Sequence, residues 1–230
     1  MTGICQKNEK IKTPVKTLHG FRKGKERMEK KKLLVWTVLV ASGLLWAQEE
    51  QKLDFAQVKS VEFTSHVNGK SAPNPEGASV VVGKSGIEIN YVFPSAGHDA
   101  CMAEFPVNIE KCNFFTVTFS VPAPGHRPFM VLTDRNDEKH YFALADTRRI
   151  AGQAITKSGT QTRQGKIAVA NEHPGEYFEF RWGGDDNQKI DFPVKKLMLG
   201  INDFPDTFQG KGRITFHSMT FQLKNKDRNK

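Results

Sequence analysis

Carboxylates, histidines and aromatic rings are the side chains of this chain that could do chemistry, and their spacing restricts what each could do. Glu176 and Glu179 stand three apart in EYFEFRW, a stretch that reads as a strand. Residues three apart on a strand point to opposite faces, so this pair cannot flank one glycosidic bond as the two carboxylates of a hydrolase must. Asp185 and Asp186 sit in a Gly-Gly-Asp-Asp-Asn loop whose oxygens could ligate calcium, although the spacing of an EF-hand is missing. They are the candidate metal residues, with a plain turn as the competing reading. His66, His98, His126, His173 and His217 fall in separate segments without ligand spacing. The sequence contains no GxSxG, HExxH, P-loop or GxGxxG. No catalytic residue is expected, and no cofactor apart from a structural calcium.

Aromatic rings are the other chemical resource. A ring laid flat on a pyranose, helped by a few charged or amide groups, is how a protein holds a sugar. Trp182 ends a strand and leads straight into the glycine loop, so it could stand at a rim. Tyr141, His140 and Arg181 are the expected companions, with Tyr177 nearby in sequence. A Trp on a strand is also a common core residue, and that reading stays open.

The elements that must position these groups read as strands throughout. Ile87–Phe93 alternates, with Ile87, Ile89, Tyr91 and Phe93 on one face, and GKSG makes a hairpin turn before it. Asn113–Val121 alternates likewise, with Phe115, Val117, Phe119 and Val121 on one side. Phe129–Thr133 and Lys139–Leu144 flank a turn over residues 134–138. Leu197–Ile201 and Ile214–Leu223 close the chain. In the last run the apolar face switches midway, which predicts a bulge or bend. Residues 65–77 and 146–171 read as long loops. Nowhere does a helical period persist for ten residues. The fold class expected is all-β: a single antiparallel β-sandwich of jelly-roll type over residues 48–230.

The N-terminal region is of another kind. Lys30, Lys31 and Lys32 precede an uncharged run from Leu33 to Ala47, followed by Gln48, Glu49 and Glu50. That layout is a signal peptide over residues 28–47, cut after Ala47 or after Gly43, and the run is short for a membrane span. An uncleaved anchor is the competing reading. Residues 1–27 are polar and basic; either translation starts at Met28, or the basic leader is unusually long.

Charge divides along the same boundary. Residues 1–47 carry 11 Lys+Arg and 3 Asp+Glu, which leaves 23 and 22 for residues 48–230, a net of +1 against +9 for the whole chain. The basic pI therefore belongs to the leader, and no nucleic-acid footprint is expected. The tail KNKDRNK is read as a solvated end. Export predicts a secreted or periplasmic protein without a stable membrane anchor. Cys101 and Cys112, with ten residues between them around an expected strand-turn-strand, are then a disulfide candidate.

EYFEFRWGGDDNQKIDFPVKKLMLGINDFPDTFQGKGRITFHSMTFQLK resembles the end of the galactose-binding-like β-sandwiches and the carbohydrate-binding modules appended to bacterial polysaccharide enzymes. GIEINYVFP and FFTVTFSVPAPGHRPFMVLTDRNDEKHYFAL resemble their middle strands. The resemblance implies a non-catalytic domain that binds a polysaccharide or other glycan. It also implies a structural calcium beside an aspartate of the last strand, but Phe216-His217-Ser218-Met219 offers no carboxylate there. Two alternatives remain: an envelope sandwich that binds partner proteins rather than sugar, and a polysaccharide hydrolase or lyase.

Overall fold

The computed structural model describes residues 49–58, 60–125, 127–145, 155–167, 177–203 and 208–223. The chain divides into two units, Met1–Ala47 and Gln48–Lys230, and all described residues belong to the second. The leader with its cut site, Cys5, His126, His173, Glu176 and the 224–230 tail lie outside the described residues.

Among the described residues, thirteen strands make two antiparallel sheets packed as a sandwich. The six-stranded sheet runs β10(Gly159–Lys166), β7(Phe114–Val121), β13(Gly210–Leu223), β5(Gly86–Phe93), β4(Ser79–Gly83), with β1(Glu49–Lys52) also beside β13. The seven-stranded sheet runs β11(Phe178–Trp182), β9(Lys139–Ala143), β8(Arg127–Thr133), β12(Val194–Asn202), β6(Ala100–Ile109), β2(Glu62–Val67), β3(Lys70–Ala72). The only described helix is one short 3-10 turn, Phe55–Gln57, so none is long enough to cross a membrane.

Period-two alternation builds the core as expected. Ile87, Ile89, Tyr91 and Phe93 are buried from β5, and Phe115, Val117, Phe119 and Val121 from β7. They meet Cys101, Ala103 and Phe105 of β6, Met130 and Leu132 of β8, and Leu197, Leu199 and Ile201 of β12. The switch of face in β13 is a bulge: its register with β7 slips between Phe216 and Ser218. Ile214 and Phe216 then point inward before it, and Met219 and Phe221 after it.

Three expectations are corrected. Residues 65–77 are not one loop: β2 and β3 pair through Asn68-Gly69, both left-handed at φ 52° and 70°. An Asn-Gly pair accepts the two positive φ values that a tight hairpin needs. Part of 146–171 is strand β10, paired along its length with β7. Its outward residues are polar: Thr162 and Thr160 bond to Thr118 and Ser120 of β7 at 3.1 Å and 2.8 Å, and Gln164 and Lys166 follow on the same face, so no apolar alternation marks it.

The third concerns the cysteines. Cys101 is the second residue of the continuous strand β6, and Cys112 lies beyond its far end; both are free buried thiols. At about 3.3 Å per residue the strand separates them by more than 20 Å, whereas a disulfide requires Cα atoms within about 7 Å. Burial pushes the Cys112 thiol up to about 12 and raises that of Cys101 as well. Mass-spectrometric labelling of the denatured, non-reduced protein should find both thiols reactive, and dithiothreitol should not move the melting temperature. A linked Cys101–Cys112 peptide pair would refute this placement.

Candidate functional site

Strands β8 and β9 bury side chains on both faces of the seven-stranded sheet. Met130, Leu132 and Phe142 point into the sandwich, while Phe129, Val131, Tyr141 and Ala143 point away from it and join Met102 in a second apolar cluster. Gly200 of β12 makes room there: a Cβ would lie 2.8 Å from the Met102 Cβ and would strike the Phe129 ring.

The rings continue this cluster outward onto the edge strand. Phe129 stacks on Tyr141 with centroids 5.2 Å apart, and Tyr141 on Phe180 at 4.7 Å and 12°. Phe180 and Trp182 follow at 5.5 Å. Phe180 and Trp182 are two residues apart on β11, so they share a face, and they are 51% and 42% exposed. Val81 is the other large apolar side chain left exposed among the described residues.

Polar groups surround the rings. Lys139 Nζ stands 5.8 Å from the Trp182 ring. Asn202 donates to the Tyr141 hydroxyl at 3.1 Å, and Arg127 pairs with Glu179. Burial raises the Tyr141 hydroxyl to about 12, so it is a neutral phenol at physiological pH. Rings with amide, ammonium and hydroxyl neighbours can hold a ligand that has apolar faces and hydroxyl edges.

Trp182 and Tyr141 thus lie together on the outer face. His140 and Arg181 do not: they pair with each other across β9 and β11 and point to the opposite side. Period two puts each on the reverse of its neighbouring ring. Tyr177 is also excluded, packed in the core 6.0 Å from Phe115. The ring that sequence reasoning missed is Phe180. Its signal was its spacing of two from Trp182.

His140 instead joins a buried acid cluster at the β8–β9 turn. The His140 Nε2 lies 3.5 Å from Asp134 Oδ2 and 3.7 Å from Glu138 Oε2, and one ligand atom from each of the three falls within 4.8 Å of the others. The side chains of Asp134 and Glu138 are wholly buried and that of His140 nearly so. Burial lowers the His140 pKa and raises that of Glu138, although Arg181 opposes the latter. The candidate metal residues Asp185 and Asp186 are outside this set. Asp185 accepts from the Asn136 and Asn187 amides at 2.9 Å each, and Asp186 is exposed, 3.5 Å from Arg181. Sequence reasoning missed Asp134 and Glu138. Glu138 and His140, two apart in an extended segment, were the available signal.

No protein-family model and no curated protein matches this sequence. Solved structures do. A family 11 carbohydrate-binding module from Clostridium thermocellum, in complex with a beta-1,3-1,4-mixed-linked tetrasaccharide, is similar at 15% identity and TM-score 0.49, over 79% of this chain and 100% of that one. A family 29 carbohydrate-binding module mutant complexed with mannohexaose is similar at 9% identity and TM-score 0.41, over 77% and 93%. The apo Crh5 transglycosylase is similar at 12% identity and TM-score 0.41, over 76% and 85%. Both binding modules and an enzyme are among these proteins, and a shared architecture does not fix function.

The two classes of ring separate by stability. Replacing Tyr141 by Ala should cost about 3 kcal/mol, or roughly 6–12 °C of melting temperature. Trp182→Ala and Phe180→Ala should each cost about 1 kcal/mol or less. Thermal denaturation of the three variants checks this, and an equal loss in all three would place Trp182 and Phe180 in the core.

Proposed function

We propose that this protein is an exported, non-catalytic carbohydrate-binding β-sandwich, with the glycan lying across Phe180 and Trp182. The observation that carries this reading is the exposed ring pair at the edge of an otherwise packed sheet face. Isolated exposed apolar residues are ordinary, but two adjacent rings backed by a stacked Tyr141 form a prepared surface. Lys139, Asn202 and the Arg127–Glu179 pair supply hydrogen-bonding groups around it.

The hydrolase alternative requires carboxylates that reach a substrate. Asp134 and Glu138 converge, but both side chains are fully buried, and a sugar chain cannot reach them. That burial supports the non-catalytic reading.

Affinity electrophoresis of the full chain against β-glucans, mannans and galactans should show retardation by at least one polymer. Stacking a ring on a sugar contributes on the order of 1–2 kcal/mol. Trp182→Ala and Phe180→Ala should therefore each weaken retention about five- to thirty-fold, and neither polymer nor variant should show hydrolysis products. If no glycan retards the native protein, the envelope-interaction reading takes over.

Export rests on the leader. Basic residues, a short apolar run and Ala47 together support cleavage before Gln48, giving a secreted or periplasmic protein. Amino-terminal sequencing of the exported protein should begin at Gln48 or within a few residues of it. Deleting residues 1–27 should leave export intact if Met28 is the start. Recovery of the uncleaved chain in membranes would exclude the cleavage.

A further inference from the structure

We propose that Asp134, Glu138 and His140 form a structural site for a divalent cation of the zinc class, seated beneath the 183–191 loop and separate from the ring face. The starting observation is an unmet hydrogen-bonding demand at Glu138, whose ion-pair partner Arg181 makes no hydrogen bond to it. Both Glu138 carboxylate oxygens are buried and accept no hydrogen bond, and the neighbouring Arg181 Nε, 3.4 Å away, makes none either. Leaving a buried carboxylate without hydrogen bonds is costly, and proteins meet that cost with a partner or a metal.

Burial alone does not mark the site. Asp99 and Asp203 are equally buried, yet both are satisfied. Asp99 accepts from the backbone of Asn68 and Ser95 at 3.1 Å each, and Asp203 from that of Gly97 at 2.9 Å and Asp99 at 3.0 Å. Asp134 is oriented in the same way, by the backbone N–H groups of Asn136, Glu138 and Asp191. One of its oxygens is thereby aimed at His140, the arrangement by which outer hydrogen bonds set a metal ligand. Glu138 is the carboxylate left over.

The spacing suits a small ion. Two ligands of a tetrahedral metal bonded at about 2.0–2.1 Å sit about 3.4 Å apart. His140 Nε2 lies 3.5 Å from one carboxylate oxygen and 3.7 Å from the other. One imidazole nitrogen with two carboxylate oxygens suits zinc and its neighbours, whereas calcium requires six to eight oxygens. The charges around the cluster also lean negative: Asp185, Asp186 and Asp191 add to Asp134 and Glu138, against Arg135, Arg181 and Lys189. Gly184 closes the site from above, since a Cβ there would come within 2.5 Å of the Glu138 Cβ.

The test is zinc titration of the full chain after EDTA treatment and dialysis. One zinc per chain should bind. At a hundredfold excess over the dissociation constant the melting temperature should rise roughly 5–10 °C. Cobalt(II) in place of zinc should give visible d–d bands without a near-ultraviolet thiolate band. Glu138→Gln should lose at least about a hundredfold in zinc affinity, exceeding the cost of an outer-sphere change. If Glu138→Gln does not fold, His140→Gln replaces it, and the cobalt spectrum of the native chain still reports the ligands. Absence of zinc binding, unchanged affinity in the variant, a thiolate band, or stabilisation by calcium but not zinc would each overturn the site.

Discussion

The register of the β8–β9 hairpin is the constraint on which both chemical regions of this protein depend. Asp134 sets it: its carboxylate accepts from Asn136 N at 2.9 Å and Glu138 N at 3.0 Å, while its own N–H donates to the Glu138 carbonyl. These bonds close the turn and fix which residues oppose one another, with Leu132 facing His140 and Val131 facing Tyr141. A slip of one residue would exchange the faces. It would send Tyr141 into the sandwich and His140 to the outer face, dismantling the ring stack and the acid cluster together.

The same hairpin explains why so much apolar material lies outside the main core. All seven residues of β8 are buried, because its outward side chains are covered as well as its inward ones. A half-solvated sheet alternates apolar with polar residues; a strand covered on both faces does not. FMVLT is continuous for that reason. Such a run gives no indication in sequence of which side chains face the other sheet. The second cluster then acts as a foundation, in which Gly200 admits Phe129, Phe129 supports Tyr141, and Tyr141 supports Phe180.

Legibility in the sequence followed the number of covered faces. β5, β7 and β13 each have one face in the core, and their alternation was readable down to the bulge at the Phe216–Ser218 step. β10 is an edge strand whose inward positions are Gln161, Arg163 and Gly165, so its pairing carries no hydrophobic signal. β6 is broken in sequence by Glu104 and Pro106 yet runs unbroken in space, and that continuity keeps the two cysteines apart. At the site, Trp182 and Tyr141 were identified from residue type. Their alliance with Phe180, and the separation of His140 and Arg181 from them, follow from cross-strand pairing, which a single strand's pattern does not contain.

Pairing between β9 and β11 makes the two regions adjacent and yet distinct. Trp182 opposes Lys139 on the outer face, while Arg181 opposes His140 on the inner one. Consecutive residues of a short edge strand thus contribute to opposite sides. Phe180 and Trp182 gain little stability from their exposed positions, so β11 must be held by other means. Arg127 with Glu179 and Arg181 with Glu138 tie it to the sheet from its two sides. The outer pair is only partly buried, but the inner one ends on a carboxylate sealed beneath Gly184. The electrostatic balance around Glu138 therefore bears on how firmly the strand is held, and on how rigidly the exposed rings are presented to a ligand.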